Sequence, residues 1–406
     1  MALNPIFQLS EKILDLAGQL HNEVVEIRRT IHQWPELSFE EVRTARKVSE
    51  FLNQRGIKNV TGIAKTGVVA TIEGKNPAGR IIALRADMDA LPISEENEIP
   101  YKSQRPGKMH ACGHDVHTAS LLGTAAILNE LKEHFDGRVK LIFQPSEEKY
   151  PGGASVMIRE GVLENPAPEA IFGQHVFPEL ETGKVGFRAG RYMASTDEIF
   201  LTVKGKGGHG ALPHRNNDPV LASAHILSAL QQVVSRNTDP ALPAVVSFGK
   251  VIANGQTNVI PDKVEMAGIM RTFDEEWRKE MKILITRIAQ KTAEAFGTHC
   301  TVRFDEGYPV LINDEILTGR ARANAAILLG NENVTELDLR TTAEDFAFFA
   351  QKIPGCFYRL GTGNKSKGIV SNLHTPTFDV DEESLRTGMA LMAWLTICEL
   401  KGFTAQ

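Results

Sequence analysis

Cysteine is scarce in this chain of 406 residues: Cys112, Cys300, Cys356 and Cys398 are its only four, and they lie far apart. No disulfide framework is expected from so few scattered thiols in a long chain, and they read as reduced cysteines. Also missing is any apolar run approaching the ~18 residues that suggest a transmembrane helix. The first residues, Met1-Ala2-Leu3-Asn4-Pro5, lack a basic segment followed by an apolar one. No signal peptide is therefore expected, and a cytoplasmic location is. Neither sign of charge dominates. A formal net charge of −5 gives no electrostatic reason to expect nucleic acid or an anionic membrane as partner. What remains, 42% hydrophobic and 23% charged residues, is the composition of a globular protein. Its length suits more than one domain.

Apolar positions recur at helical spacing from about residue 6 to Gln33, where Trp34-Pro35 ends the pattern, and again from Glu40 to Leu52. Nearly continuous apolar runs at 67–72, 81–85, 140–143 and 170–172 read as strands buried on both faces. Thr118–Leu131, rich in Ala and Leu, reads as a helix among them. Polar residues follow several of these strands: Asp87-Met88-Asp89, Gln144-Pro145-Ser146-Glu147-Glu148, and Gly173-Gln174-His175. In open α/β sheets, sites gather at the carboxyl ends of strands. Near Gly190 the texture changes. An order of strand, helix, two strands, helix, strand predicts a small α+β domain with helices on one face of an antiparallel sheet. Beyond Tyr308 a helix (315–329), a strand (357–360) and a closing helix (383–401) return to the first pattern. The expected organisation is a discontinuous α/β domain, 1–187 and 303–406, interrupted by an α+β insertion at 188–302.

The chemistry concentrates in Met109-His110-Ala111-Cys112-Gly113-His114-Asp115-Val116-His117. Thiolate and neutral imidazole are ligands of zinc and its neighbours, and Gly113 allows a sharp bend that turns Cys112 and His114 toward one ion. The plainer alternative is a polar turn before a helix with a buried free cysteine. Downstream, Glu148, His175 and His374 bring the ligand-type residues to five. That exceeds the three a catalytic zinc takes from protein, so convergence would suit two ions close together. In the Glu147-Glu148 pair, one carboxylate can bind metal while its neighbour takes a proton from water, although two solvated acids are the commoner use of such a pair. Gly207-Gly208-His209-Gly210 is not a phosphate loop, because no GxxxxGK[ST] pattern is present. Asn258 and Arg271 lie in the same inserted region, and arginine suits a fork-like grip on a carboxylate.

Taken together, DMDALP at 87–92, HACGHD at 110–115, QPSEE at 144–148, GQHVFP at 173–178, GKGGHGALPH at 205–214, AEDF at 343–346 and HTPTFD at 374–379 carry a resemblance. The set resembles the N-acyl-amino-acid amidohydrolases, including hippurate and indole-acetyl-amino-acid hydrolases, within the aminoacylase and metallo-carboxypeptidase superfamily. It spans nearly the whole chain, from His32-Gln33-Trp34-Pro35-Glu36 to Asp379. The resemblance implies a zinc-peptidase-like α/β catalytic domain, its mixed central sheet flanked by helices, with a smaller inserted α+β lid that mediates dimerisation. It implies two divalent ions (zinc, manganese, cobalt or nickel) held by Cys112, His114, Glu148, His175 and His374, with Glu147 as general base. His209 takes the place of the lid histidine that assists catalysis, Asn258 and Arg271 are substrate contacts, and Asp89 and Asp115 orient ligands from behind. The implied reaction is hydrolysis of N-acyl or N-aroyl amino acids in a homodimer or higher oligomer. A carboxypeptidase or dipeptidase using the same site is the nearer alternative, and a non-catalytic metal-binding homologue the more distant one.

Overall fold

In the computed structural model, which describes residues 5–403, helix α1 (Pro5–Gln33) ends just before Trp34-Pro35. Helix α2 (Val42–Gln54) buries Thr44, Ala45, Val48, Phe51 and Leu52 on one stripe and leaves the other face wet. Strands β1 (Asn59–Ile63), β2 (Gly67–Glu73) and β3 (Ile81–Asp87) lead to α3 (His114–Glu130), β4 (Arg138–Gln144) and α4 (Gly153–Arg159). Then come β5 (Ala170–Glu181), β6 (Val185–Phe187) and β7 (Gly190–Met193). A second compact unit holds β8 (Asp197–Lys204), β9 (Gly208–His209), α5 (Pro219–Leu230), β10 (Ala244–Ile252) and β11 (Val259–Ile260). It continues with β12 (Lys263–Thr272), α6 (Glu275–Ala295) and β13 (His299–Glu306). After β14 (Leu311–Asn313) the chain forms α7 (Glu315–Leu329), β15 (Val334–Glu336), α8 (Ala347–Ala350), β16 (Gly355–Gly363) and α9 (Glu383–Leu400).

The first unit takes Met1–Gly190, Ile312–Asp338 and Asp345–Gln406. Its eight-stranded mixed sheet runs β1-β2-β4-β3-β5-β16-β6-β15. Strands β4, β3, β5 and β16 are mutually parallel, while β2 joins β4 antiparallel. Their central residues are buried on both faces, which is why they read as continuous apolar runs rather than alternating ones. Helix α3 is buried almost all round and packs against both α1 and α9. Gly123 permits that approach, since a Cβ there would lie 2.6 Å from Met389 Sδ. Two details differ from the sequence reading. Strand β5 does not stop before His175 but continues to Glu181, pairing with β16 in the register His175–Arg359, so His175 stands within a strand. Helix α3 begins at His114 rather than Thr118, so the Cys/His stretch runs into its first turn.

The second unit, Arg191–Leu311 with Leu339–Glu344, carries an antiparallel sheet in the order β10-β12-β8-β13. Ile199, Leu201 and Val203 alternate inward along β8 and join Ile226 of α5 and Ile285 of α6 in a core of their own. The β13–β8 ladder runs from His299–Lys204 to Glu306–Asp197, and thus past residue 302. No turn residue interrupts β13 before Gly307. No helix of the described residues is long and apolar enough to cross a membrane.

Candidate metal centre

The site forms where β3, β4 and β5 deliver their polar residues beside the start of α3. Gly113 caps that helix with φ 79°, a left-handed value, and a Cβ on it would lie 2.5 Å from Val176 Cγ2. Only glycine turns the chain there without a clash. Cys112 Sγ then lies 3.5 Å from His175 Nε2 and 3.3 Å from His374 Nε2. His374 is exposed, also left-handed (φ 60°), and its backbone N–H donates to Ala111 at 2.8 Å, which ties its loop to the Cys112 segment. His374 Nε2 approaches Glu148 Oε1 to 3.2 Å, and Glu148 Oε1 is 4.0 Å from His114 Nε2.

These atoms form overlapping triads. Within each of Cys112–His114–His175, Cys112–Glu148–His374 and His114–Glu147–Glu148, the ligand atoms lie within 4.8 Å of one another. Neighbouring ligands of a tetrahedral ion with bonds of about 2.0–2.3 Å are roughly 3.3–3.8 Å apart, so the spacing fits. His114 Nε2 is buried without a hydrogen-bond partner, a costly condition that a metal ion would relieve. His175 donates from Nδ1 to the Val176 carbonyl at 2.8 Å, leaving the Nε2 lone pair facing Cys112. Burial holds its pKa well below the ordinary imidazole value, so it is neutral as a ligand must be. Burial, then the carboxylates of Glu148, Glu147 and Asp87, push the Cys112 thiol well above its usual range. Burial disfavours a charged His114, yet Asp87, Asp89 and Glu148 outweigh it and push its pKa up to about 10. A divalent cation among these groups would reverse both tendencies.

Asp89 holds several parts of the site at once. Its Oδ1 faces His114 Nδ1 at 3.2 Å and accepts from the Glu147 N–H at 2.9 Å, while Oδ2 accepts from the Glu148 N–H at 3.0 Å and the Ser38 hydroxyl at 2.7 Å. Asp115 faces elsewhere. It bonds Arg28 Nε at 2.7 Å and His32 Nδ1 at 2.8 Å, in a buried network that also ties Arg28 to Asp379 and Glu382. Asp87 stands closer to the ligands than Asp115 does: it pairs with His117 Nδ1 at 2.5 Å and lies 3.8 Å from His114 Nε2. His117 Nε2 accepts the Val176 N–H at 2.8 Å, so the backbone of one residue, Val176, steadies both His117 and His175. Beneath them Arg85 bridges Asp87, Gln144 and Asp345, and the Asp345 N–H reaches Glu147 Oε1 at 3.4 Å. The sequence reading gave no role to Arg85, or to His117 and Asp345, which it named only within their motifs. Arg85 offered a signal, a charged residue inside an otherwise apolar strand run.

His209, Asn258 and Arg271 belong to the second unit. His209 is exposed on β9, which pairs with β11, and its neighbour Gly210 donates to the Asn258 carbonyl at 2.8 Å. The Ala211 N–H donates to His209 Nδ1 at 3.0 Å, so the neutral ring carries its proton on Nε2. Asn258 is exposed, and Arg271 is half-buried on β12 opposite Val245.

Comparison with known proteins bears on this geometry. A family model described as peptidase family M20/M25/M40 matches residues 83–396. The N-acyl-L-amino acid amidohydrolase of Geobacillus stearothermophilus is 43% identical over 75% of this chain and 81% of its own length. Thermostable carboxypeptidase 2 of Saccharolobus solfataricus is 39% identical over 96% of this chain and 98% of its own. A crystal structure from Bacillus subtilis, described as a dinuclear metal binding peptidase from the M20 family, superposes with a TM-score of 0.83 at 37% identity. It covers 95% of this chain and 99% of its own.

Proposed function

The chain belongs to peptidase family M20/M25/M40, and from that premise we propose that it is a metal-dependent hydrolase of N-acyl or N-aroyl amino acids, releasing a carboxylic acid and a free amino acid. The carrying observation is the loop after β4. It sets buried Glu147 beside Glu148, with the ligand atoms of both within 4.8 Å of His114. Cys112, His114 and His175 would hold one divalent ion, and Cys112, Glu148 and His374 a second. Zinc, manganese, cobalt and nickel all suit this mixed set of sulfur, nitrogen and oxygen donors. When bound, such ions polarise the amide carbonyl and lower the pKa of water to about 7.

Glu147 takes the proton of the attacking water and returns it to the leaving amide nitrogen. His209, from this chain or from a second copy, would donate Nε2–H to the oxygen on which charge develops. Asn258 and Arg271 would hold the free carboxylate, favouring amino-acid conjugates over plain amides. The inserted unit would serve as lid and dimer contact. Supporting the amide class is the likeness to the Geobacillus amidohydrolase. The likeness to the Saccharolobus carboxypeptidase favours a second reading, removal of a carboxy-terminal residue from peptides by the same groups. The test is turnover of benzoyl-glycine, acetyl-methionine, indole-acetyl-alanine and glycyl dipeptides by apo-protein reloaded with each metal. Metal-dependent release from the acyl conjugates is expected. Release from dipeptides alone would favour the peptidase, and no turnover despite two bound ions would overturn both.

A further inference from the structure

Glu41 carries none of the chemistry described so far. It precedes α2, is fully buried, and reaches the loop after β4 from a segment that holds no candidate ligand. Its Oε1 accepts two backbone N–H groups, from Phe39 at 2.9 Å and from Ser146 at 2.9 Å, while Oε2 accepts the Thr66 hydroxyl at 2.6 Å. Both backbone donors are left-handed without being glycine, with φ 63° at Phe39 and 53° at Ser146. Such residues persist only where the surroundings hold them. Here one carboxylate oxygen holds both.

Ser146 is followed immediately by Glu147 and Glu148, whose N–H groups donate to Asp89. Three consecutive N–H groups thus point at two carboxylates, a concave backbone arrangement that anions stabilise. Asp89 anchors the last two. The turn that redirects the chain from β4 toward the site is at Ser146, and Glu41 anchors that one. We infer that Glu41 is a positioning residue: by holding Ser146 in its left-handed conformation it aims the Glu147 carboxylate at its reaction partner. The inference rests on Glu147 being the base. Burial and the nearby Asp89 carboxylate push the Glu41 carboxyl up to about 7, so glutamine, with a carbonyl for the same two N–H groups, is a close replacement.

The test compares E41A, E41Q, the double variant E41A/S146G and E147A, measuring kcat, KM, bound metal per chain by elemental analysis, and thermal stability. E41A is expected to lower kcat about 10- to 100-fold through misplacement of the base, with KM and metal content near those of the parent. E41Q should stay within about threefold of the parent, since the acceptor for Ser146 is kept. Adding S146G to E41A should recover at least about threefold of the loss, because glycine takes a positive φ without a Cβ penalty. Should E41A fail to fold, E41D replaces it: its shorter arm cannot span to the Ser146 N–H. Full kcat in the shortened variant, or metal lost in step with kcat, would overturn the positioning role, as would no recovery with S146G. E147A separates the two ideas. Full turnover there would overturn the base assignment, whereas an inactive E147A beside a fully active E41A would overturn the inference alone.

Discussion

The two units hold their candidate functional groups in opposite ways. In the first, each ligand-type side chain inside the sheet and helix is buried and braced. His175 is held by a carbonyl, His114 by Asp89, and the Glu147–Glu148 backbone by the same aspartate. In the second, His209 is exposed on a two-residue ladder and Asn258 is exposed just before it, both held mainly by backbone bonds. Removing a group from the first unit should therefore disturb structure or metal content as well as turnover. In the second it should disturb turnover alone. Glu147 is the place to break this rule, because its proposed task is proton transfer rather than binding. Glu147→Ala is expected to lower kcat about 10²- to 10⁴-fold with bound metal nearly unchanged. His175→Ala, at a proposed ligand, should instead lose metal. Elemental analysis of both variants beside their kcat decides this, and equal metal loss in the two would end the distinction.

Arg28 tests how far the bracing extends. It is wholly buried, touches no candidate ligand, and joins Asp115, Asp379 and Glu382 to α1. Against the cost of burial, Arg28 and His32 hold the Asp115 carboxyl well below its ordinary range. Arg28→Met would strand that buried charge, and removing one partner of such a pair costs about 3–5 kcal/mol. Chemical denaturation should show a loss of that size. A variant as stable as the parent would mean that the network contributes nothing to the frame around the site.

That network also shows where sequence reading stopped. The order of strand, ligand-type residues and helix was legible because it is local: Cys112 and His114 flank a glycine that must turn, and Glu147-Glu148 follow a strand directly. Asp89 as a partner of His114 and Asp115 as a partner of Arg28 were not distinguishable. Both are acids next to apolar runs, and their partners come from segments 25 and 87 positions away. Glu41 was invisible for the same reason, since its hold on Ser146 spans 105 positions. His175 looked like the start of a loop because Gly173 and Gln174 interrupt the apolar run, yet pairing with β16 keeps the strand going.

On the second unit the contrast predicts clean losses. His209 is exposed, so His209→Ala should leave thermal stability and bound metal unchanged, shifting stability by no more than about 0.5 kcal/mol. If its Nε2–H supports the developing oxyanion, kcat should fall about 10²- to 10³-fold. Unchanged kcat would remove His209 from the reaction. Lost metal in this variant would break the comparison between the units from the other side.

Arg271 offers the smallest and most selective effect. If its guanidinium grips the free carboxylate of the substrate, Arg271→Ala should raise KM for benzoyl-glycine about 10- to 100-fold, the range for a lost hydrogen bond to a charged group. The same variant should barely alter turnover of benzoyl-glycinamide, which has no carboxylate to grip. Arg271→Lys should fall between the two, because an ammonium keeps the charge but not the planar fork. A loss of equal size on both substrates would mean that Arg271 supports the β12–β10 pairing, in which it sits opposite Val245, rather than the substrate.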